Sequence, residues 1–233
     1  MTGQAIKAPA PAASRRPQTG RLIAPSARPA VYAVLAVAVA VTAALGSWLA
    51  GRTTLTAFDL RWDARLGRLF RTHPAAALRL ADLGGPLAAG VGCVAVAVAA
   101  LVLRRPRGVA LAAIAAPVAA GLTDWVLKPL VDRAPFGTYT YPSGHSAAAF
   151  ALATVIVLLV LDETSRRPPR VVRVAVAVVV LAVTGLVPLG LVAARYHFTT
   201  DTIGGCCVGI ATALVAARVI DVVADRRASR ARR

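Results

Sequence analysis

Three short polar sets interrupt or end long apolar runs in this chain: Lys128-Pro-Leu-Val-Asp-Arg133, Pro142-Ser143-Gly144-His145 and Arg195-Tyr-His197-Phe-Thr-Thr-Asp201. His197 and Asp201 are four residues apart, so on a helix they share a face and can meet. A carboxylate bonded to one imidazole nitrogen fixes the tautomer and leaves the other nitrogen free as a nucleophile or base. Ser143 and Gly144 stand where a helix is expected to begin, and the amide N–H groups of a first turn favour an anion. His145 lies in that same turn and can donate a proton. Lys128, Arg133 and Arg195 add three cations. An anion pocket with two histidines is what phosphoryl transfer requires: charge stabilisation, a nucleophile and an acid.

Each group also has a plainer use. Asp124 and Lys128, at i and i+4, can form a simple ion pair, and an arginine at a membrane interface can be only an anchor. His73, which precedes Pro74, has no partner in the sequence and reads as structural. The weight lies on the coincidence: the lysine, the PSGH and the HxxxD occur in this order and end apolar runs on one face.

The elements that must position these groups follow from composition. Of 233 residues 58% are hydrophobic, above the roughly 45–50% of ordinary globular chains. The excess is Ala, Val and Leu in long runs, which is the composition of a membrane protein. About 20 apolar residues cross the hydrocarbon core. Three uncharged stretches meet that length alone: the first lies between Arg28 and Arg52, the second between Asp82 and Arg104, the third between Arg173 and Arg195. Three more runs, Gly108 to Thr123, Ala147 to Leu161 and Thr202 to Ala217, reach it by including polar residues at one end. Ionisable groups at such depth point to a functional site. The expected fold is all-α, a polytopic membrane protein with six transmembrane helices. Residues 29–225 form the membrane domain, between a disordered basic tail at 1–28 and a basic tail at 226–233.

The net charge of +17 is distributed by connection. The N-terminal tail, the turn around Arg104 to Arg107, the turn from Arg166 to Arg173 and the C-terminal tail hold seventeen of the 27 basic residues. By the positive-inside rule that side is cytoplasmic, both termini are inside and the polar helix ends face outward. Scattered cations and only 5% aromatic residues argue against nucleic acid as a partner. The cationic tails and turns would meet anionic membrane lipids. Six arginines between Arg52 and Arg79 stand on the opposite side. There Leu55, Phe58, Trp62, Leu66 and Leu69 recur every three or four residues, as in an amphipathic helix lying at the interface. Cys93, Cys206 and Cys207 fall inside expected spans and read as small packing residues. Gly205 and Gly209 form a small-xxx-small pair for packing the last helix within the chain.

Lys128, the PSGH at 142–145 and the His197-x-x-x-Asp201 resemble the three signature motifs of the type 2 phosphatidic acid phosphatase superfamily, over roughly residues 120–215. The six-helix layout suits its integral-membrane branch, with helices three to six as the phosphatase core. The resemblance implies His197 as a nucleophile forming a phosphohistidine, Asp201 as its orienter and His145 as the acid and later the base. It implies Ser143, Gly144 and Lys128 as phosphate ligands, and neither metal nor other cofactor. Two positions depart from the pattern. The first motif has an arginine where this chain has Pro135, with Arg133 two residues earlier. The third has an arginine where this chain has Leu191, with Arg195 one helical turn later. Arg133 and Arg195 are expected to replace the missing pair from these shifted places.

The substrate expected on this basis is a lipid phosphomonoester or diphosphate at the outer leaflet, such as phosphatidic acid, phosphatidylglycerol phosphate or a polyprenyl phosphate. The alternative is a catalytically weakened member that binds lipid headgroups. Retained His145, His197 and Asp201 favour the enzyme, and Pro135 and Leu191 favour the binder.

Overall fold

The computed structural model describes residues 20–162 and 168–231. Among these every regular element is helical: α1 (Arg28–Leu49), α2 (Ala57–Leu69), α3 (Pro74–Asp82), α4 (Pro86–Val102), α5 (Pro106–Gly121), α6 (Lys128–Val131), α7 (Gly144–Leu161), α8 (Arg170–Ala193) and α9 (Thr199–Arg230). A π-helical stretch, Leu122–Leu127, joins α5 to α6 without a break. Five helices start with a proline at their first or second position, where the missing N–H has no intrahelical acceptor to serve.

Five helical stretches are long and apolar enough to cross a membrane: Pro25–Leu49, Pro106–Val131, Gly144–Leu161, Arg170–Ala193 and Thr199–Arg230. The sixth is bent. The uncharged run after Asp82 yields only the 17-residue α4, which reaches spanning length together with α3 across a 47° break. Gly84 stands at that break. A Cβ there would meet the Val187 side chain and the His145 carbonyl, so the small residue lets the bend close on α7 and α8.

Small residues also set the centre of the bundle, where α7 packs on α9, α5 and α8. A Cβ on Gly205 would collide with the Ser143 carbonyl, and one on Gly209 with the Ala147 carbonyl. The pair therefore packs α9 against α7 inside the chain, as its spacing suggests. Ala147, Ala151, Val208 and Ala213 line the same contact and are buried. Outward-facing valines and leucines of α1, α4 and α8 are exposed, which is the pattern of lipid-facing surface.

The chain's flanks meet at one end of this bundle. Asp221, fully buried near the end of α9, accepts the backbone N–H groups of Leu22 and Ile23 at 3.0 Å each and pairs with Arg107 at 2.9 Å. Asp225 pairs with Arg107 and Arg21. The inner part of the expected disordered tail is thus folded against the bundle, because Leu22 and Ile23 are apolar and two aspartates take their amides and neighbouring cations. Residues 1–19, and Arg166 and Arg167 of the α7–α8 connection, lie outside the described residues. Residues 226–230 of the expected basic tail continue α9, which is helical through Arg230.

Candidate active site

The three motifs meet at the other end of the bundle, where Asp201 lies about 30 Å from Asp221 by the helical rise along α9. Each is delivered by a helix terminus. The N-terminus of α7 carries the PSGH. Tyr141 before it is buried, gives its hydroxyl to the Thr42 carbonyl of α1 at 2.8 Å and lies against Gly204 of α9. The Ser143 amide donates to the Asp201 carbonyl at 2.9 Å, which fixes the second motif to the third. The Ser143 hydroxyl caps α7 by accepting from the Ser146 amide at 3.3 Å, and the residue is wholly buried. Its hydroxyl and amide therefore hold the loop, and the pocket wall begins at Gly144.

Five residues of the chain's second half and one lysine define the polar end of a cavity of about 350 Å³: Gly144, His145, Ala148, His197, Asp124 and Lys128. The His145 and His197 rings stand edge to face, 6.1 Å between centroids. Lys128 follows directly on the π-helical stretch, its N–H bonded to the Thr123 carbonyl, and the wider turn shifts the register that brings it to the wall. Its Nζ bonds Asp124 Oδ1 at 2.6 Å. That carboxylate also stands against Gly144, where a Cβ would lie 3.1 Å from Asp124 Oδ1. The plain Asp124–Lys128 ion pair is present, and it lies inside the pocket.

The cavity does not stop at the polar groups. It runs between α4 and α5, past Ala89, Gly90 and Cys93 on one side and Ala116, Pro117 and Ala120 on the other. Cys93 thus lines the cavity as a small apolar residue.

The remaining expected site residues sit elsewhere. Arg133, expected to clamp phosphate, is fully buried and absent from the cavity wall. Asp132 takes a left-handed backbone (φ 54°) that ends α6 and turns the chain inward. Arg133 then donates to Asp59 at 2.6 Å, to Thr200 at 2.6 Å and to Asp201, and its guanidinium lies over the Phe198 ring. Asp201 Oδ2 accepts the Phe198 amide at 3.1 Å and stands 3.8 Å from His197 Nδ1. That nitrogen is buried with no hydrogen-bond partner among the described residues. Arg195 is exposed on the left-handed turn that ends α8 (φ 61°) and does not line the cavity. Leu191 fills an apolar cluster with Ala81, Ala149 and Val187. Lys128 is accordingly the one cation on the wall among the described residues.

Two functional neighbours came from outside the motifs. Asp59 and Asp63, one turn apart on α2, accept the first amides of α9: Thr200 N–H to Asp59 at 2.9 Å and Thr199 N–H to Asp63 at 3.1 Å. Burial pushes the Asp63 carboxyl above its ordinary value, the two Thr199 hydrogen bonds oppose this, and the charges of Asp59 and Asp201 add to the rise. The i, i+4 spacing of these acids was a readable sign of one helix face, but nothing in it named α9 as the partner. Asp82 ends α3, and His73 is exposed at the α2–α3 turn, bonded to Thr72 at 2.9 Å. Among the described residues no three His, Cys, Asp or Glu side chains converge as a metal-binding set.

No curated protein and no solved structure matches the chain. A family model does: the PAP2 superfamily, over residues 80–224, a range that takes in the α3–α4 break, all three motifs and nearly all of α9. With the lysine, the PSGH and the HxxxD gathered at one helix end within the matched range, the chain belongs to the PAP2 superfamily, a family of phosphatase-type hydrolases acting on phosphate esters.

Proposed function

We propose that the protein is a lipid phosphate phosphatase that works through a phosphohistidine and without a metal. One observation carries the reading: a single cavity joins two histidines and a lysine to an apolar slot between two helices of the membrane domain. A substrate with a phosphate head and a hydrocarbon tail matches both ends of that cavity. Phosphatidic acid, phosphatidylglycerol phosphate and polyprenyl phosphates or diphosphates share this form.

In the proposed mechanism the phosphate lies between Lys128 and the first-turn amides of Gly144 and His145. An imidazole nitrogen of His197 attacks phosphorus. The bond from phosphorus to the ester oxygen breaks, and His145 gives its proton to the departing alkoxide. His145, now neutral, takes a proton from water; the oxygen attacks phosphorus, the P–N bond breaks and inorganic phosphate leaves. Asp201 orients His197, and Arg133 with Asp59 orients Asp201. Ser143 and Arg133 thus act as positioning residues in this reading, and Arg195 has no part in the pocket.

The arrangement of charge supports the orientation suggested by the arginine-rich tails. The flanks meet at the end opposite the histidines, so cytoplasmic flanks mean a site at the outer face.

Weakened catalysis has one specific observation in its favour. Among the described residues no cation stands on the wall in place of either family arginine, and each lost charge-assisted bond removes about 1.5–3 kcal/mol of phosphate stabilisation. One assay separates the readings. Phosphate release is measured from a panel of phosphorylated lipids in detergent with chelator present. Release by the wild type and its loss in His197→Ala support the enzyme. Absence of release from every substrate, or equal release by the variant, rejects it in favour of headgroup binding.

A further inference from the structure

The arginines of α2 are unused by the site, and their placement is not that of an ordinary solvated face. Both acids of the helix point inward: Asp59 is fully buried on Arg133 and Thr200, and Asp63 is bonded to Thr199. Arg61, Arg65 and Arg68, with Arg71 just beyond the helix, are exposed, and none pairs with a carboxylate among the described residues. Beside them Leu60, Trp62 and Leu69 are exposed by 57%, 42% and 69%. Arg65 stacks on the Trp62 ring at 4.8 Å. A short helix with unpaired cations and bare apolar side chains, at the end of a membrane bundle, is complementary to an anionic bilayer surface. Its inward acids meanwhile cap the turn of α9 that carries Asp201.

We propose that α2 docks on anionic lipid headgroups of the leaflet nearest the site, and that Asp59 and Asp63 pass this seating to the first turn of α9. Anionic lipid then raises turnover without entering the pocket. The turnover part rests on the phosphatase reading; the docking part does not.

The test uses the full chain, in a Trp48→Phe, Trp125→Phe background that leaves Trp62 as reporter. It is reconstituted in phosphatidylcholine vesicles with or without phosphatidylserine. Trp62 emission should shift to the blue with phosphatidylserine and return at high salt. The shift should vanish in R61Q/R65Q/R68Q/R71Q, since each arginine at such a surface changes partition by about fivefold. Equal emission in both vesicles, or an unchanged shift in the fourfold variant, overturns the docking. A shift produced by inorganic phosphate alone overturns the lipid as its source. For turnover, kcat on p-nitrophenyl phosphate should rise severalfold with phosphatidylserine in wild type and not in the fourfold variant. Asp63→Asn, which leaves the Asp59–Arg133–Asp201 contacts in place, should keep the emission shift and the activity without phosphatidylserine and lose the rise. A kcat indifferent to phosphatidylserine while Trp62 still shifts overturns the transmission through Asp63, and absent activity in all samples with an intact shift rejects the phosphatase reading alone.

Discussion

Asp124 is a carboxylate standing where the proposed chemistry puts a phosphate. It holds Lys128 at 2.6 Å and lies against Gly144 at the start of α7, so it competes with substrate for both anion-binding groups. The pair is partly exposed, and such pairs are worth about 0.2–1 kcal/mol. Asp124→Asn should therefore lower KM for a phosphate ester by about two- to fivefold, with kcat little changed. A higher KM in the variant would mean that Asp124 holds Lys128 in place for the substrate. At this scale the sequence was readable where spacing is local. Lys128, Gly144, His145 and His197 share one cavity, as their motifs suggest. Arg133 and Arg195 were not readable, because two left-handed residues, Asp132 and Arg195 itself, aim the chain away from the wall. Left-handed backbone is uncommon at any non-glycine residue, and although aspartate adopts it more often than most, neither the composition nor the spacing here singles out Asp132 or Arg195. The carboxylate that draws Arg133 inward, Asp59, is 74 positions away in the chain.

Among the elements, α4 and α5 matter most for the substrate, since the apolar slot lies between them. Gly90 borders it, and a Cβ on that residue would meet nothing within 4 Å. Gly90→Leu should thus fold normally and fill the slot. We expect it to lower kcat/KM for a long-chain lipid phosphate at least tenfold while leaving p-nitrophenyl phosphate hydrolysis within about twofold, the difference expected when remote apolar contacts help position a reacting group. Equal loss on both substrates would show that the side chain disturbs the histidines, and no loss on either would remove the slot from the substrate path. The run between Asp82 and Arg104 announced an apolar helix, but the bend between α3 and α4 was hidden there. Gly84 and Gly85 permit the break; the fit of Gly84 against Val187 and His145, a tertiary fact, makes it. The π-helical stretch after Pro117 was likewise invisible to a 3.6-residue period.

For the whole molecule, the long uncharged runs made the membrane class and the approximate span count legible, because hydrocarbon length is a constraint that sequence must meet locally. The two flanks meet at the end opposite the motifs, where Asp221 and Asp225 take the Leu22 and Ile23 amides and the Arg21 and Arg107 side chains. What the bundle is proposed to do with this frame is to hold a nucleophilic histidine at a lipid-accessible helix end. The most direct measurement is rapid quench of the reconstituted protein with a lipid whose phosphate is radiolabelled, followed by isolation of the chain under alkaline conditions. The account predicts label bound through an acid-labile, alkali-stable bond in wild type and none in His197→Ala. Turnover without any bound label, or label retained in His197→Ala, would contradict it.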